Sequence, residues 1–270
     1  MTAWLTVHRG AAPLLVSLPH TGTDIPSAIE DTLVSPWLSR KDADWWIDRL
    51  YDFARDLDAT IVRTSISRTV IDVNRDPSGI SLYPGQATTE LCPTTTFDGE
   101  PLYKSATPDA SAIAKRREEY FEPYHAALAA ELARLRQSHS KVVLYDCHSI
   151  RSVIPRLFDG QLPEMNIGTN SGASCDPLLT AMIAEHAKAA DFSHVVNGRF
   201  KGGFITRNNG KPSDGVHAVQ MELACRSYML EPLGPVREGE WPAPYDDQTA
   251  ARMRTTLTKI LKTCISFAKS

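Results

Sequence analysis

The sequence of 270 residues lacks the features that mark membrane and nucleic-acid-binding proteins. No apolar run approaches the roughly eighteen residues that a membrane-spanning helix needs. Lys and Arg number 29 against 32 Asp and Glu, so there is no basic excess to bind a polyanion. The opening MTAWLTVHRG has no basic segment followed by an apolar one, so we expect no secretory signal and a cytoplasmic location. With 42% hydrophobic residues, the composition predicts a soluble globular protein that binds neither membranes nor nucleic acids.

Several short catalytic motifs are missing as well. The five cysteines contain no Cys-x-x-Cys pair, which argues against a disulfide framework and a thiolate zinc site. We expect reduced, mostly buried thiols, with a nucleophilic Cys147 as the alternative. The sequence has no H-E-x-x-H, G-x-S-x-G or glycine-rich phosphate loop, so thermolysin-type, serine-hydrolase and nucleotide-binding sites have no support.

Short apolar runs alternate with longer helical patterns along most of the chain. This alternation predicts one α/β domain over residues 1–270, with helices on both faces of a sheet. The predicted strands are residues 13–18, 60–63, 69–73, 142–145, 165–167, 195–196 and 216–223. The predicted helices are residues 44–57, 111–137, 177–190 and 247–267, with Pro123 expected to kink or split the second.

Three polar residues stand where predicted strands end or inside one. His20 and His148 follow or end buried runs, and Glu222 interrupts another. Open α/β folds bind ligands beyond the carboxyl ends of their strands. Each residue also has a structural explanation, such as a hydrogen-bonded histidine or a salt-bridged glutamate, and the sequence alone does not show that they converge. His217 is a further candidate ligand beside a predicted strand.

Another predicted strand ends in Asn74 and Arg75. The planar guanidinium of arginine suits two-point binding of a carboxylate, and an adjacent amide can orient the same group. The alternative interpretation is a buried ion pair of Asp72 with Arg75 or Arg68.

Six long segments, in this order, resemble the N-formylglutamate deformylase (N-formylglutamate amidohydrolase) family. They are SLPHTGTDIP (17–26), DADWWIDRLYDFA (42–54), SRTVIDVNRDP (67–77), SLYPGQATTELCPTTTFDGEPLY (81–103), DCHSIRSVIPRLFDG (146–160) and FKGGFITRNNGKPSDGVHAVQMELACRSYM (200–229). The family is related to zinc carboxypeptidases and aspartoacylases. The resemblance implies a three-layer α/β/α domain with a mixed, mostly parallel sheet, one zinc ion, and hydrolysis of the dicarboxylate N-formyl-L-glutamate, the last step of a histidine degradation route.

Carried onto this sequence, the resemblance implies that His20 and His148 are zinc ligands. Zinc carboxypeptidases have a glutamate three residues after the first histidine, where this chain has Thr23. The carboxylate ligand must therefore come from elsewhere, and Asp44 is our choice. The alternatives are Asp24 and Asp42.

The same resemblance implies roles for the remaining residues. Glu222 resembles the general base of the superfamily, and Asn74 with Arg75 resembles its carboxylate clamp. Arg151 and Arg207 lie in matched segments and are candidates for binding the second carboxylate of the substrate. Where the familiar family form has Asn-Arg-Pro, this chain has Asp76 after the clamp.

Three other functions compete with this interpretation. A related zinc amidohydrolase acting on another N-acyl amino acid or a small peptide shares every residue above. An arginase-like formiminoglutamase needs D-x-H-x-D, and the segment from Asp146 fails that motif at Ile150. A non-catalytic dicarboxylate-binding protein would use Asn74 and Arg75 without chemistry.

Overall fold

A mixed β-sheet forms the centre of the computed structural model, which describes residues 4–82, 84–232 and 234–270. Its seven strands within these ranges are β1 (Leu5–His8), β2 (Leu14–Leu18), β3 (Thr60–Thr64), β4 (Val142–Ile150), β5 (Met165–Gly168), β6 (His194–Val196) and β7 (Val216–Ala224). The strand order is β1-β3-β2-β4-β7-β5-β6. β1 pairs antiparallel with β3 and β5 antiparallel with β7, and the other four pairings are parallel.

The helices of the described residues cover both faces of the sheet. They are α1 (Ser27–Glu30), α2 (Ile47–Leu50), α3 (Ala110–Arg116), α4 (Glu122–Arg136), α5 (Pro177–Ala189), α6 (Phe204–Asn209) and α7 (Asp247–Lys269). Short 3₁₀ turns occur at Leu38–Arg40, Asp52–Arg55, Asn170–Gly172, Pro212–Asp214 and Cys225–Ser227. None of these helices has the length and apolar character needed to cross a membrane.

Alternating side chains of the central strands build two hydrophobic cores. Leu14 and Tyr145 point toward α5 and α7, whereas Leu15 and Leu144 point toward α4. Every residue of β2 and β4 is buried, as expected for parallel strands covered on both faces. The predicted α/β architecture with a mixed sheet between helical layers is confirmed.

Two local predictions were wrong in type or extent. Residues 69–73 form a turn and loop rather than a strand, because the carboxylate of Asp72 accepts a hydrogen bond from the Asn74 amide and bends the chain. Residues 44–57 contain only α2 and a 3₁₀ turn, and α2 begins after Trp46, whose φ is 64°. The periodic apolar residues are buried in both segments, so burial alone does not specify a regular element.

The other predictions hold more closely. Asp176 caps α5 through the Leu178 amide, with Pro177 as the first helical residue. The predicted helix at 111–137 is divided by a π turn at Arg117–Phe121, after which Pro123 lies in the first turn of α4. Pro123 has no backbone N–H to donate, and the π turn changes the hydrogen-bond pattern just before it. The chain therefore remains helical across the proline.

The parallel pairing of β2, β4 and β7 brings their carboxyl ends to one edge of the sheet. His20 follows β2 by two residues, His148 lies in β4, and Glu222 of β7 is directly opposite His148 in the ladder. Both strand residues share the α4 face of the sheet with Leu144 and Ala218, because side chains alternate along a strand. The fold therefore brings three sequence-predicted residues to the same place.

Candidate metal centre and active site

His20, Asp44 and His148 form a buried cluster at this edge of the sheet. Asp44 Oδ2 lies 3.0 Å from His148 Nδ1 and 3.7 Å from His20 Nδ1. One potential ligand atom from each residue lies within 4.8 Å of the others. Asp44 follows the 3₁₀ turn at Leu38–Arg40, and its backbone amide is anchored by the carbonyl of His20. Two imidazoles and one carboxylate are a donor set typical of a catalytic zinc site.

The outer nitrogen of each histidine is held by a second carboxylate. His20 Nε2 lies 2.8 Å from Asp72 Oδ1, and His148 Nε2 lies 2.9 Å from Asp146 Oδ2. Such carboxylates fix the tautomer in which Nε2 carries the proton and Nδ1 presents a lone pair. Both Nδ1 atoms then face Asp44, which is the arrangement that metal binding requires.

Two atoms at the centre of the cluster are buried without a hydrogen-bond partner in the described part of the chain. They are His20 Nδ1 and Asp44 Oδ1. An unpaired buried polar atom costs about 1–3 kcal/mol, and the cost is larger for a charged group. A cation bound between these atoms would remove that cost, so the residues fit a metal ion.

The close approach of buried carboxylates and imidazoles also shifts the pKa values of the cluster. Burial by itself lowers the pKa of His148, but Asp146 and Asp44 together raise it well above its ordinary range. Burial raises the pKa of Asp44, and the adjacent imidazoles of His148 and His20 outweigh this and lower it. A metal ion would displace the proton held between these groups, because it binds neutral imidazole.

Asp72 connects the cluster to two arginines. Its carboxylate lies 2.6 Å from Arg68 Nη2 and 3.7 Å from Arg75 Nε, besides its contact with His20. Burial raises the pKa of Asp72, but Arg68 outweighs this and holds it well below its usual range. The buried ion pair with Arg68, which was the alternative interpretation of this segment, is therefore present.

Glu222 lies beside the cluster and lines the adjacent cavity. Gln220 Nε2 donates to its Oε2 at 3.0 Å. Burial raises the pKa of Glu222 to about 7, with the attraction of His148 opposing this shift. A carboxylate with a pKa near neutrality can accept a proton and give it back, as a general base must.

Asn74 and Arg75 both reach the cavity, but they have different partners. Asn74 Nδ2 lies 3.0 Å from His148 Nε2 and 3.3 Å from Asp146 Oδ2, and its Oδ1 accepts from the Ile205 amide at 2.8 Å. Arg75 donates to the carbonyl and hydroxyl of Thr89 at 3.2 Å each. Asn74 is thus engaged within the protein, whereas the guanidinium of Arg75 lies on the cavity wall.

The cavity above the cluster has a free volume of about 50 Å³, which is room for a few water-sized groups. His20, His148 and Glu222 line it at the strand ends, and loop residues complete the wall. Two of its arginines, Arg68 and Arg199, were not among the predicted binding residues. Arg68 lies in the matched segment at 67–77, so that segment offered a signal, whereas Arg199 stands just outside a matched segment.

The structure does not bring Arg151 or Arg207 to the lining of this cavity. Arg151 Nη2 lies 2.7 Å from Asp98 and 3.5 Å from Asp42 in a separate ion-pair network. Arg207, on α6, donates from Nε to the Gly202 carbonyl at 2.9 Å. The two arginines therefore hold neighbouring segments in place around the site.

The remaining alternatives lie elsewhere. Asp42 accepts a hydrogen bond from the Phe97 amide, and neither it nor Asp24 is part of the His-Asp-His cluster. Cys147 points to the opposite face of the sheet from His148, and burial raises the pKa of its thiol well above the usual range. His217 lies at the start of β7 on that opposite face, against Phe267. Neither is placed for chemistry in the cavity.

The fold places a buried His-Asp-His cluster beside a cavity, and comparison with known proteins identifies the family. Residues 12–229 match the family model for N-formylglutamate amidohydrolase. An N-formylglutamate deformylase of Pseudomonas putida is 45% identical over 97% of this chain and 96% of its own. One of Pseudomonas aeruginosa is 44% identical over 98% of this chain and 97% of its own. The chain therefore belongs to the N-formylglutamate amidohydrolase family and is an amidohydrolase.

Solved structures share the same fold. The crystal structure of N-formylglutamate amidohydrolase from Ralstonia eutropha JMP134 has a TM-score of 0.80 at 21% identity and covers 98% of each chain. A gene product of Agrobacterium tumefaciens has a TM-score of 0.72 at 18% identity, covering 99% of this chain and 96% of that one.

Proposed function

We propose that this protein hydrolyses N-formyl-L-glutamate to formate and L-glutamate with one zinc ion bound by His20, Asp44 and His148. The observation that carries the proposal is a pair of buried atoms, His20 Nδ1 and Asp44 Oδ1, that form no hydrogen bond with the described residues and belong to a cluster whose histidines are oriented by carboxylates. The relatives named N-formylglutamate deformylase support the substrate. In a cytoplasmic histidine degradation route, this reaction would be the last step.

Zinc bound there would act as a Lewis acid for the formyl carbonyl and would make a water molecule acidic enough to attack near neutral pH. Glu222 would accept the proton of the attacking water and then pass it to the leaving amine. Its raised pKa, about 7, suits both transfers.

The cavity arginines would position the substrate and stabilise charge. Arg68 lies between Asp72 and Asp44, at 2.6 and 3.6 Å, and would donate to the developing negative charge on the formyl oxygen. Arg75 would bind the α-carboxylate next to the reacting amide, so that the contact that recognises the substrate also orients it. A dianionic substrate therefore needs only a few cations inside one pocket, although the net charge of the chain is −3.

The test is formate release from N-formyl-L-glutamate, measured with a chelator, without it, and after zinc is restored. We expect activity that the chelator abolishes and zinc recovers. His20→Ala and His148→Ala should each lose bound zinc, measured by elemental analysis of the purified proteins. Unchanged zinc content in either variant would remove that histidine from the metal site.

Parallel assays with N-acetyl-L-glutamate and other N-formyl amino acids distinguish the proposal from its rivals. Faster turnover of one of these compounds would assign the protein to another substrate of the same class. Tight binding of glutamate without formate release or metal would instead identify a dicarboxylate-binding protein.

A further inference from the structure

Gln220 lies two residues before Glu222 on β7, and both side chains line the cavity. Side chains two residues apart on a strand share one face of the sheet, so the two are neighbours. Both are buried, with 4% of Gln220 and 7% of Glu222 exposed. Gln220 Nε2 lies 3.0 Å from Glu222 Oε2. The glutamine is therefore in direct contact with the carboxylate of the proposed base.

The orientation of the Gln220 amide is fixed by a backbone group. The N–H of Gly203, at the start of α6, donates to Gln220 Oε1 at 2.7 Å. Because a backbone N–H can only donate, the oxygen of the amide must face Gly203 and its nitrogen must face Glu222. Asn74 Nδ2 approaches the same oxygen at 3.5 Å, which favours the same orientation. Gln220 thus presents a hydrogen-bond donor to Glu222.

A glycine in β5 makes room for the segment that holds this amide. Gly168 lies directly opposite Gln220 in the ladder between β5 and β7. A Cβ on Gly168 would lie 2.6 Å from the backbone nitrogen of Gly202 and 2.8 Å from the carbonyl carbon of Lys201. The absence of a side chain at this position therefore lets the backbone of residues 201–203 pass over β5 close to Gln220.

We propose that Gln220 positions the Glu222 carboxylate for proton transfer by holding Oε2, so that Oε1 accepts the proton of the attacking water. The proposal rests on the proposed function, in which Glu222 is the general base. A general base works only when its oxygen is within hydrogen-bond reach of the proton that it accepts. The glutamate side chain has three rotatable bonds, and a donor fixed on one carboxylate oxygen restricts their rotation.

Gln220→Met tests this role, because methionine has a similar length but lacks the amide. We expect kcat for N-formyl-L-glutamate to fall by about 10- to 100-fold, since a misplacement of about 1 Å in a reacting group can cost that much. KM should change by less than about 3-fold, because the contact acts on the base rather than on the substrate. Zinc content, measured by elemental analysis, should equal that of the wild type.

The same substitution in two further backgrounds separates positioning from a general structural effect. In Glu222→Gln, Gln220→Met should lower kcat by less than about 2-fold more, because no base remains to be positioned. In Glu131→Gln, on α4, the loss should be as large as in the otherwise wild-type protein. An equal loss in both backgrounds would overturn the proposal. A raised KM with a normal kcat would overturn it too, by showing that Gln220 binds the substrate itself.

Crystal structures of the zinc-loaded wild type and Gln220→Met test the contact independently of activity. We expect Gln220 Nε2 within about 3.2 Å of the Glu222 carboxylate in the wild type, and a displaced carboxylate in the variant. A contact that is broken in the zinc-loaded wild type, or a carboxylate that does not move in the variant, refutes the proposal. If the wild type releases no formate, the proposed function fails, and these structures still decide whether Gln220 holds Glu222. If Gln220→Met does not fold, the wild-type structure decides it.

Discussion

Asp72 and Asp146 hold the outer nitrogens of His20 and His148, and their charge keeps the inner nitrogens directed at Asp44. Asp146→Asn preserves the shape of the side chain and removes the charge. We expect zinc affinity to fall by about 10–100-fold, as for other carboxylates that support metal-binding histidines. Competition with a chromogenic chelator measures the change.

The matched control for that variant is Asp176→Asn. Asp176 caps α5 at the opposite side of the sheet from His148, and asparagine is an equally good cap. Its zinc affinity should equal that of the wild type. Equal affinity in Asp146→Asn as well would show that the second carboxylate contributes nothing to metal binding.

Glu222→Gln separates proton transfer from metal binding. Glutamine fits the same space but accepts no proton from water, so kcat should fall by about 10²- to 10⁴-fold while zinc content stays unchanged. Glu131→Gln, on α4, serves as the control and should keep its kcat at neutral pH. A near-normal kcat in Glu222→Gln would assign the base to another residue.

From the sequence, predicted strands indicated His20, His148 and Glu222 as candidates, and the family resemblance offered Asp44, with Asp24 and Asp42 as alternatives. The sequence did not distinguish which arginines face the cavity. Arg151 follows β4 and Arg199 follows β6, yet one pairs with Asp98 and the other lines the cavity. That difference depends on how loops distant in sequence meet, which no local pattern records.

At the level of elements, Gly203 shows how closely α6 approaches the site. A Cβ on Gly203 would lie 2.5 Å from the amide atoms of Asn74, although its φ of −85° suits any residue. Gly203→Ala should therefore displace Asn74 from His148, lower activity, and reduce the free energy of unfolding by about 1–3 kcal/mol. Urea unfolding and the formate assay measure the two effects.

Gly234→Ala is the control for the added methyl group, because no atom of the described residues, apart from its chain neighbours, lies within 4 Å of the position of its Cβ. We expect its stability to change by no more than about 0.5 kcal/mol and its activity to be normal. If Gly203→Ala behaves in the same way, Asn74 can move without cost.

Strands and helices were predicted correctly where the spacing of the apolar residues and the length of the segment indicate the same type of element. β2, β4, β7, α5 and α7 were all located from their apolar pattern. β1 was missed because its residues are half-exposed at the sheet edge, and 69–73 was assigned wrongly because its buried Ile71 and Val73 belong to a turn. The positions of apolar residues predict which side chains are buried. The backbone conformation of this segment depends instead on hydrogen bonds, such as the one that the Asp72 carboxylate accepts from the Asn74 amide.

At the scale of the whole molecule, Glu131 links the N-terminal region to α4. It contacts Arg9 at 2.8 Å and Arg134 at 2.6 Å. Burial raises the pKa of Glu131, but Arg134 and Arg9 outweigh this and lower it. A lowered pKa in the folded state contributes stability above the unfolded pKa, near 4 to 4.5, and this stability is lost as pH falls through the folded value.

Glu131→Gln should therefore destabilise the protein at pH 7 and show a smaller further loss of stability between pH 5 and 3 than the wild type. Urea unfolding at a series of pH values measures both differences. Parallel stability curves for the two proteins would show that Glu131 interacts equally with its neighbours in the folded and unfolded chains.

The pairing of His148 with Glu222 across β4 and β7 also limits where the sequence can accept insertions. Each residue is held in a backbone ladder that continues from Val142 to Ile150 and from Val216 to Ala224. A shift of one strand by a single residue would turn its site residue into the opposite core, so insertions within these strands are excluded. The loops that carry Ala87, Leu157 and Arg199 have no such constraint. New substrate preferences can therefore arise there while the reaction itself is inherited unchanged.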